Sequence, residues 1–306
     1  MKCVHPGAAL AALLAAAQTG MPLSAAQRDD AIIVEGQRID IPMLVKGTIN
    51  NVGVTPLARF EDRICPGVVG IGGEQALKML QIMRDNFVAL GSKIDSPGCT
   101  ANATVIFTDQ PVDFVKKLAK KEPAYFTMSP RALDRLTAHS RPVASWHVTE
   151  TRDRDGKEVG STNRGSDPKK KLFNTQASMG VPMEAQVIRN SAATHLYTNV
   201  REDMTVGFAV IDRRSSAGKS LRQLADLATL HLLLDVKQDA GASNRGSILS
   251  LFEERPAGAS PPPALSKYDR AMVQALYAPH ENNRTAGQQY SQIATAVRRS
   301  VGETGP

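Results

Sequence analysis

The chain has 306 residues, of which 42% are hydrophobic, and a formal net charge of +7. This length accommodates one large domain or two small ones. The basic residues are scattered and the aromatic content is only 5%, so the sequence lacks the stacking side chains of a nucleic-acid surface and favours a solvated basic face. We therefore expect no nucleic-acid partner, and only weak attraction to anionic envelope surfaces.

The first 26 residues predict a secretory signal peptide. Lys2 supplies a positive start, Ala8–Ala17 is a charge-free apolar run, and Ser24–Ala26 fits the small-residue cleavage rule. A frayed N-terminal helix is the alternative. Downstream, no run reaches the about 20 apolar residues that cross a bilayer. The expected product is a single periplasmic or secreted domain, residues 27–306, without a membrane span.

Two cysteines remain after the signal peptide, Cys65 and Cys99. In an exported chain they predict one disulfide, because the compartment is oxidising. Two separate buried thiols are the alternative, since the sequence does not give the distance between the sulfur atoms.

The first half of the chain predicts strands that alternate with helices. Residues 31–64 contain a short β-prone run and turn residues, which indicate an edge strand followed by coil. Hydrophobic periodicity and capping signals then predict a helix, a strand and two further helices: Glu74–Leu90, Ala103–Thr108, Val112–Lys121 and Pro130–His139.

Val143–Thr149 alternates between two faces, as a strand does. Trp146 is expected to point into the core, and His147 to the opposite face as a surface histidine. The polar stretch at about 152–180 follows, which predicts either disorder or a loop that carries a partner site. Thr194–Thr198 and Thr205–Ile211 predict an antiparallel hairpin, the second strand being central because both of its faces are apolar.

Ser220–Val236 is the most apolar helix-length segment after the signal peptide and predicts a buried core helix. Ser220 and Gln223 form a predicted capping box at its start. Two more helices are predicted near the C-terminus, one begun by Ser266 and Asp269 and the other at Thr285–Arg299. The expected fold is α+β: a mostly antiparallel sheet covered by helices, with a helical C-terminal third.

Gly218–Ser220 lies between a strand and a helix and is similar to the end of a phosphate-binding loop. Arg213 stands where the first glycine of G-x-x-x-x-G-K-[ST] is required, so a helix cap is the preferred interpretation. Arg213, Arg214 and Lys219 near a helix N-terminus still predict a weak site for a simple anion.

The histidines show no local metal-binding pair, so a zinc site would need residues from distant positions. His231 and Asp235 lie one helical turn apart, which suits either a buried structural pair or an oriented base for a serine. No G-x-S-x-G elbow supplies that serine. His147, His231 and Asp235 form the candidate polar site. No pattern predicts a cofactor or an oligomeric state.

Several segments together resemble a group of uncharacterised exported bacterial proteins, and they span most of the chain after the signal peptide. These segments are Arg59–Asp62, Cys65–Val68, Ser145–His147, Gln223–Asp226, Asp269–Arg270 and Ala275–Tyr277. The resemblance implies no assigned activity.

The order of core helix, SILSLF and LSKYDRAMVQALYAP also resembles the C-terminal half of a secreted family of zinc-dependent proteases. That family carries its metal histidines and catalytic glutamate on the core helix, where this chain reads LADLATLHLLLD. The resemblance implies a peptidase-like scaffold without the peptidase site. We therefore expect a non-catalytic binding or accessory protein with a protein or envelope partner, and no catalytic residue is assigned. The alternative is a hydrolase with a site assembled from His147 or His231 and distant acids.

Overall fold

The computed structural model describes residues 40–51, 55–157, 160–161, 186–187, 198–279 and 284–302. In these residues the chain forms eight α-helices: α1 Ile41–Thr48, α2 Gly73–Ala89, α3 Pro111–Lys121, α4 Pro130–Thr137, α5 Leu221–Leu233, α6 Ala240–Ser243, α7 Lys267–Tyr277 and α8 Ala286–Val301. The six strands are β1 Pro66–Val69, β2 Ala103–Thr108, β3 Val143–Asp153, β4 Gly160–Ser161, β5 Gln186–Val187 and β6 Val200–Asp212. The predicted α+β class and helical C-terminal third are confirmed.

The main sheet has four strands in the order β1-β2-β6-β3. β1, β2 and β6 are parallel, and only β3 runs antiparallel to β6, so the sheet is mixed rather than mostly antiparallel. The reason lies in the connections: helix α2 returns the chain from the end of β1 to the start of β2, which makes those two strands parallel.

Helices cover both faces of this sheet. On one face, α2 and α5 pack with the C-terminal helices over Val105, Ala209 and Ile211. On the other face, α3 and α4 enclose a smaller cluster in which the Trp146 ring stacks on Phe126 and Phe208, each at 4.9 Å between centroids. β6 is therefore apolar on both faces, as its sequence predicts for a central strand.

Helix α5 is the buried helix that the sequence predicts. It is buried from Leu224 to Leu230, and its start is fixed by the Ser220–Gln223 capping box. The predicted cap of Ser266 and Asp269 begins α7, and a capping box of Thr285 with Gln288 begins α8. These caps satisfy backbone N–H groups that the first turn of a helix leaves unpaired. Because the capping residues lie next to the helix start in the sequence, they predict where each helix begins.

Two predictions of local secondary structure are wrong. Residues 41–48 form α1 rather than coil, because Asp40 accepts a hydrogen bond from the Met43 amide and Pro42 suits the first turn. Residues 199–203 do not form a hairpin turn, because β6 is already paired with β3 from Val200 onward. Its charged start stays in the sheet, and Thr151 Oγ1 of β3 donates a 2.7 Å hydrogen bond to Glu202.

The predicted Cys65–Cys99 disulfide is present, with an S–S distance of 1.98 Å. It joins the residue before β1 to the segment that leads into β2. The Cys65 amide also donates a 2.7 Å hydrogen bond to Asn102 Oδ1, so the starts of two neighbouring strands are held together. A disulfide is compatible with an extracytoplasmic location.

Within the described part of the chain, none of the helices has the length and apolar character needed to span a membrane. The predicted signal peptide at 1–26 and the β-prone run at 31–34 lie outside the described residues, as do most of the stretch at 152–180 and residues 194–197.

Candidate functional site

Two polar regions of the molecule are candidates for a functional site. The first lies between the sheet and helix α5, and we call it the histidine cluster: Asn50, Ser145, His147, His231 and Asp235. Strand alternation points Ser145 and His147 of β3 toward α5. His231 occupies the last turn of α5, and Asp235 follows that helix. Folding therefore brings together the three residues of the predicted polar site.

The contacts within the histidine cluster are direct. Ser145 Oγ and His231 Nδ1 are 2.8 Å apart. His147 Nε2 lies 2.9 Å from the Leu232 carbonyl oxygen and donates to it, because a carbonyl only accepts. Asn50 Nδ2 donates to Asp235 Oδ2 over 3.1 Å. His147 Nδ1 is buried and has no hydrogen-bond partner among the described residues.

Burial controls the charge of the histidine cluster. It lowers the pKa of His231 from 6.5 to about 3, and the nearby His147 contributes to this shift. Burial also lowers the pKa of His147, against the opposing charge of Asp235. For Asp235, burial raises the pKa, and His147 and Asn50 oppose the shift. Both imidazoles are therefore neutral at neutral pH.

The histidine cluster has the residues of a hydrolase but not the arrangement. A serine hydrolase needs a reachable serine and a third group that orients the base. Ser145 and His147 are only 6% and 8% exposed, so the expected surface position of His147 is wrong. Asp235 is hydrogen-bonded to Asn50. No hydrogen bond joins Asp235 to His231 within the described residues.

The His147 ring of the histidine cluster is packed as a core side chain is. The Phe60 ring meets His147 edge-to-face, with 6.4 Å between centroids. At Gly207, directly across from His147 in the sheet, a Cβ atom would come within 3.1 Å of His147 Cδ2 and 3.3 Å of Leu232 Cδ2. Any side chain at position 207 would therefore compete with the His147 imidazole for the same space.

The second region is an open pocket of about 510 Å³ at the carboxyl ends of β1, β2 and β6. We call it the basic pocket, and its lining is Gly70, Ile71, Gly72, Gln75, Phe107, Arg213, Ser216, Lys219, Leu221 and Leu224. The ends of parallel strands are where open α/β sheets commonly bind ligands. Arg213 and Lys219 of the predicted anion site line this pocket, whereas Arg214 does not.

The two basic side chains of the pocket differ in their pairing. Arg213 Nε donates to Asp109 Oδ1 over 2.9 Å, and Arg213 Nη2 contacts the other carboxylate oxygen. This hydrogen bonding with Arg213 lowers the pKa of Asp109. The Lys219 ammonium lies 5.9 Å from the Phe252 ring centroid. No carboxylate in the described part of the chain forms a salt bridge with Lys219, so its charge is available to a ligand.

Two helices begin at the basic pocket, and their first turns differ. The N-terminus of α5 is closed by its own capping box, since Gln223 donates to Ser220 Oγ and accepts from the Ser220 amide. The predicted use of this helix start for an anion therefore meets a competing side chain. The N-cap of α2 is Gly72, which makes no side-chain capping bond.

The glycine loop before α2 was missed by sequence reasoning. Gly70 has φ of +88°, and a Cβ there would come within 2.0 Å of the Phe107 carbonyl oxygen. The signal was G-x-G-G between a strand and a helix, the arrangement in which backbone N–H groups approach a ligand closely.

A third region, a groove of about 720 Å³ between α7 and α8, is lined mainly by small and polar residues with Arg284 and Arg299.

Among the described residues, no group of three or more His, Cys, Asp or Glu side chains is suited to hold a metal ion.

Comparison with protein-family models, curated proteins and solved structures gives no match for this chain. The candidate sites are therefore interpreted from their own geometry and chemistry.

Proposed function

We propose that this protein is a non-catalytic periplasmic binding or accessory protein, and that the basic pocket is its ligand site. The ligand would be a small molecule that carries a negative charge. The observation that carries the proposal is Lys219, which lines an open pocket beside the strand ends where ligands commonly bind and has no salt-bridge partner among the described residues.

Pocket size and polarity support this proposal. A volume of about 510 Å³ lies within the range of small-molecule sites, roughly 300 to 1,000 Å³. Three of its four polar side chains, those of Arg213, Ser216 and Lys219, come from one connection, between β6 and α5. This placement gives the pocket a positive side, which favours an anion.

Binding of two anions to the purified protein tests this proposal, with the disulfide intact. Hexanoate and inorganic phosphate would be titrated while the backbone amide resonances are followed by NMR. We expect hexanoate to shift the amides of Gly70 and Gly72. Lys219→Ala should weaken hexanoate roughly three- to tenfold, because it removes one partly solvated charge interaction.

Arg214→Ala is the matched control, since it removes an equal charge from the same connection outside the pocket lining. It should leave hexanoate affinity within about twofold, because an exposed charge acts weakly through solvent. If neither anion shifts the pocket amides, or if both variants weaken binding equally, the proposed site is wrong.

A hydrolase remains the second candidate function, because Ser145 Oγ and His231 Nδ1 are 2.8 Å apart. Hydrolysis of p-nitrophenyl acetate by the protein and by Ser145→Ala measures it. We expect the two rates to be equal and close to the uncatalysed rate, because Ser145 is buried. A rate that is well above background and is lost in Ser145→Ala would favour the hydrolase instead.

A further inference from the structure

We infer that the ligand of the basic pocket is an amphipathic monocarboxylate: one anionic head group joined to a short apolar chain or ring. This inference rests on the proposed function and deepens it by naming the ligand class. It follows from three features of the pocket: an apolar floor, one available positive charge, and a volume larger than a bare ion.

The floor of the basic pocket is apolar. Phe107 and Leu224 form part of this floor and are buried, at 5% exposed each. Ile71 and Leu221 also line the pocket and are partly exposed. A ligand without apolar surface would leave these side chains in contact with water, whereas an apolar chain would cover them and gain the corresponding transfer free energy.

The charge of the pocket suits a single negative group. Arg213 is already held by the Asp109 carboxylate through two contacts, so most of its charge is balanced. Lys219 alone supplies an ammonium group without a salt-bridge partner in the described residues. A triphosphate or another multiply charged ligand would need further cations to balance its charge, so a monoanion fits better.

The glycine loop limits the shape of the ligand. The Gln75 side chain folds over Gly72, since a Cβ on Gly72 would lie 2.4 Å from Gln75 Oε1. The backbone at Gly70 lies directly against the end of β2. The loop side of the pocket is therefore lined by backbone and an amide, whereas the basic side chains come from the β6–α5 connection. One end of the ligand faces charge and the remainder faces apolar surface.

A chain-length series tests this inference. Acetate, butanoate, hexanoate and octanoate would be titrated into the protein by calorimetry, with hexan-1-ol as the uncharged counterpart of hexanoate. We expect affinity to rise roughly two- to fourfold per added methylene over the part of the series that the pocket covers, as burial of a methylene group predicts. Hexan-1-ol should bind at least threefold more weakly than hexanoate.

Two variants separate the head group from the chain. Leu221→Ala should reduce the gain per methylene, because it removes apolar lining. Lys219→Ala should reduce the difference between hexanoate and hexan-1-ol. Leu77→Ala is the control for Leu221→Ala, because Leu77 is 69% exposed on α2 outside the pocket, and it should change neither quantity.

The outcomes distinguish the two proposals. If the anions bind with Lys219 dependence but with equal affinity at every chain length, the ligand class is wrong and the proposed site stands. If no anion in the series binds, or if hexan-1-ol matches hexanoate, the anion site itself is wrong and the inference falls with it. Binding of phosphatidylglycerol vesicles without binding of any soluble carboxylate would also overturn the inference, in favour of a membrane surface.

Discussion

The histidine cluster and the basic pocket lie at opposite ends of helix α5 and differ in their access to solvent. The histidine cluster gathers a serine, two imidazoles and a carboxylate, but packing closes Ser145 and His147 to solvent. The basic pocket contains a simpler set of groups, yet it is open to solvent, and its lysine has no salt-bridge partner among the described residues. Convergence of polar residues therefore does not define a site unless a ligand can reach them.

The largest expected effect is a loss of stability when the glycine loop of the basic pocket is altered. Gly70→Ala should lower the free energy of unfolding by about 3 kcal/mol or more, because it combines a positive φ with a backbone clash at Phe107. Urea denaturation measures the change. Gly98→Ala is the control: Gly98 has the same φ of +88° but nothing within 4 Å, so only about 1 kcal/mol should be lost. Equal losses would show that the close approach at Gly70 is unimportant.

A smaller effect is expected from acid on the histidine cluster. The folded-state pKa of His231 is about 3 and its ordinary value is 6.5. Between these values the unfolded chain holds more protons, so stability falls as pH decreases through the window. From pH 7.5 to 5.5, this one residue should cost about 1.4 kcal/mol.

His231→Gln should remove that contribution and flatten the pH dependence of the urea midpoint. His139→Gln, at an exposed histidine, serves as the control and should leave the slope as it is. Buried carboxyls such as Asp235, whose pKa is raised, act in the opposite direction in both variants, so the comparison isolates His231. An unchanged slope in His231→Gln would mean that its imidazole is not held neutral by burial.

The smallest expected effect concerns the ion pair of Arg213 with Asp109 at the basic pocket. Asp109→Asn removes the carboxylate that balances the charge of Arg213. The pocket then presents more positive charge to an anion, so hexanoate should bind about threefold more tightly. Calorimetry at low and moderate salt measures this gain, which should shrink as salt is added. Asp113→Asn, on the neighbouring α3 and outside the pocket lining, is the matched control. A loss of affinity in Asp109→Asn would show instead that the pair is needed to hold Arg213 in place.

Local signals predict the helices well, because caps and periodicity act over a few residues. Ser220 with Gln223 marked α5, and alternation along 143–149 separated Trp146 from His147. Strand pairing is a different matter, since it depends on residues far apart in the chain. Nothing local to Val200–Asp203 shows that β3 continues opposite it, and so the sequence predicts a turn for this charged segment.

The candidate sites show the same limit. The one-turn spacing of His231 and Asp235 suggested a pair, but His231 meets Ser145, and Asp235 meets Asn50. Ser145 lies on β3 and Asn50 lies just after α1, far from α5 in the sequence, so spacing cannot reveal either contact. Arg213 and Lys219 were found by their charge, whereas the apolar floor beneath them is built by β2 and the start of α5 and emerges only on folding.

The pairing of β2 with β6 has a consequence for how the chain folds. Residues 103–108 form their parallel ladder with residues 207–212, so the centre of the sheet stays incomplete until the intervening segment has closed into a loop. Contacts between residues so distant in sequence slow folding, because the entropy of loop closure is lost before the contact forms. We therefore expect folding on the millisecond-to-second scale, and a nascent chain cut before residue 207 would lack one of the two strands that pair with β2.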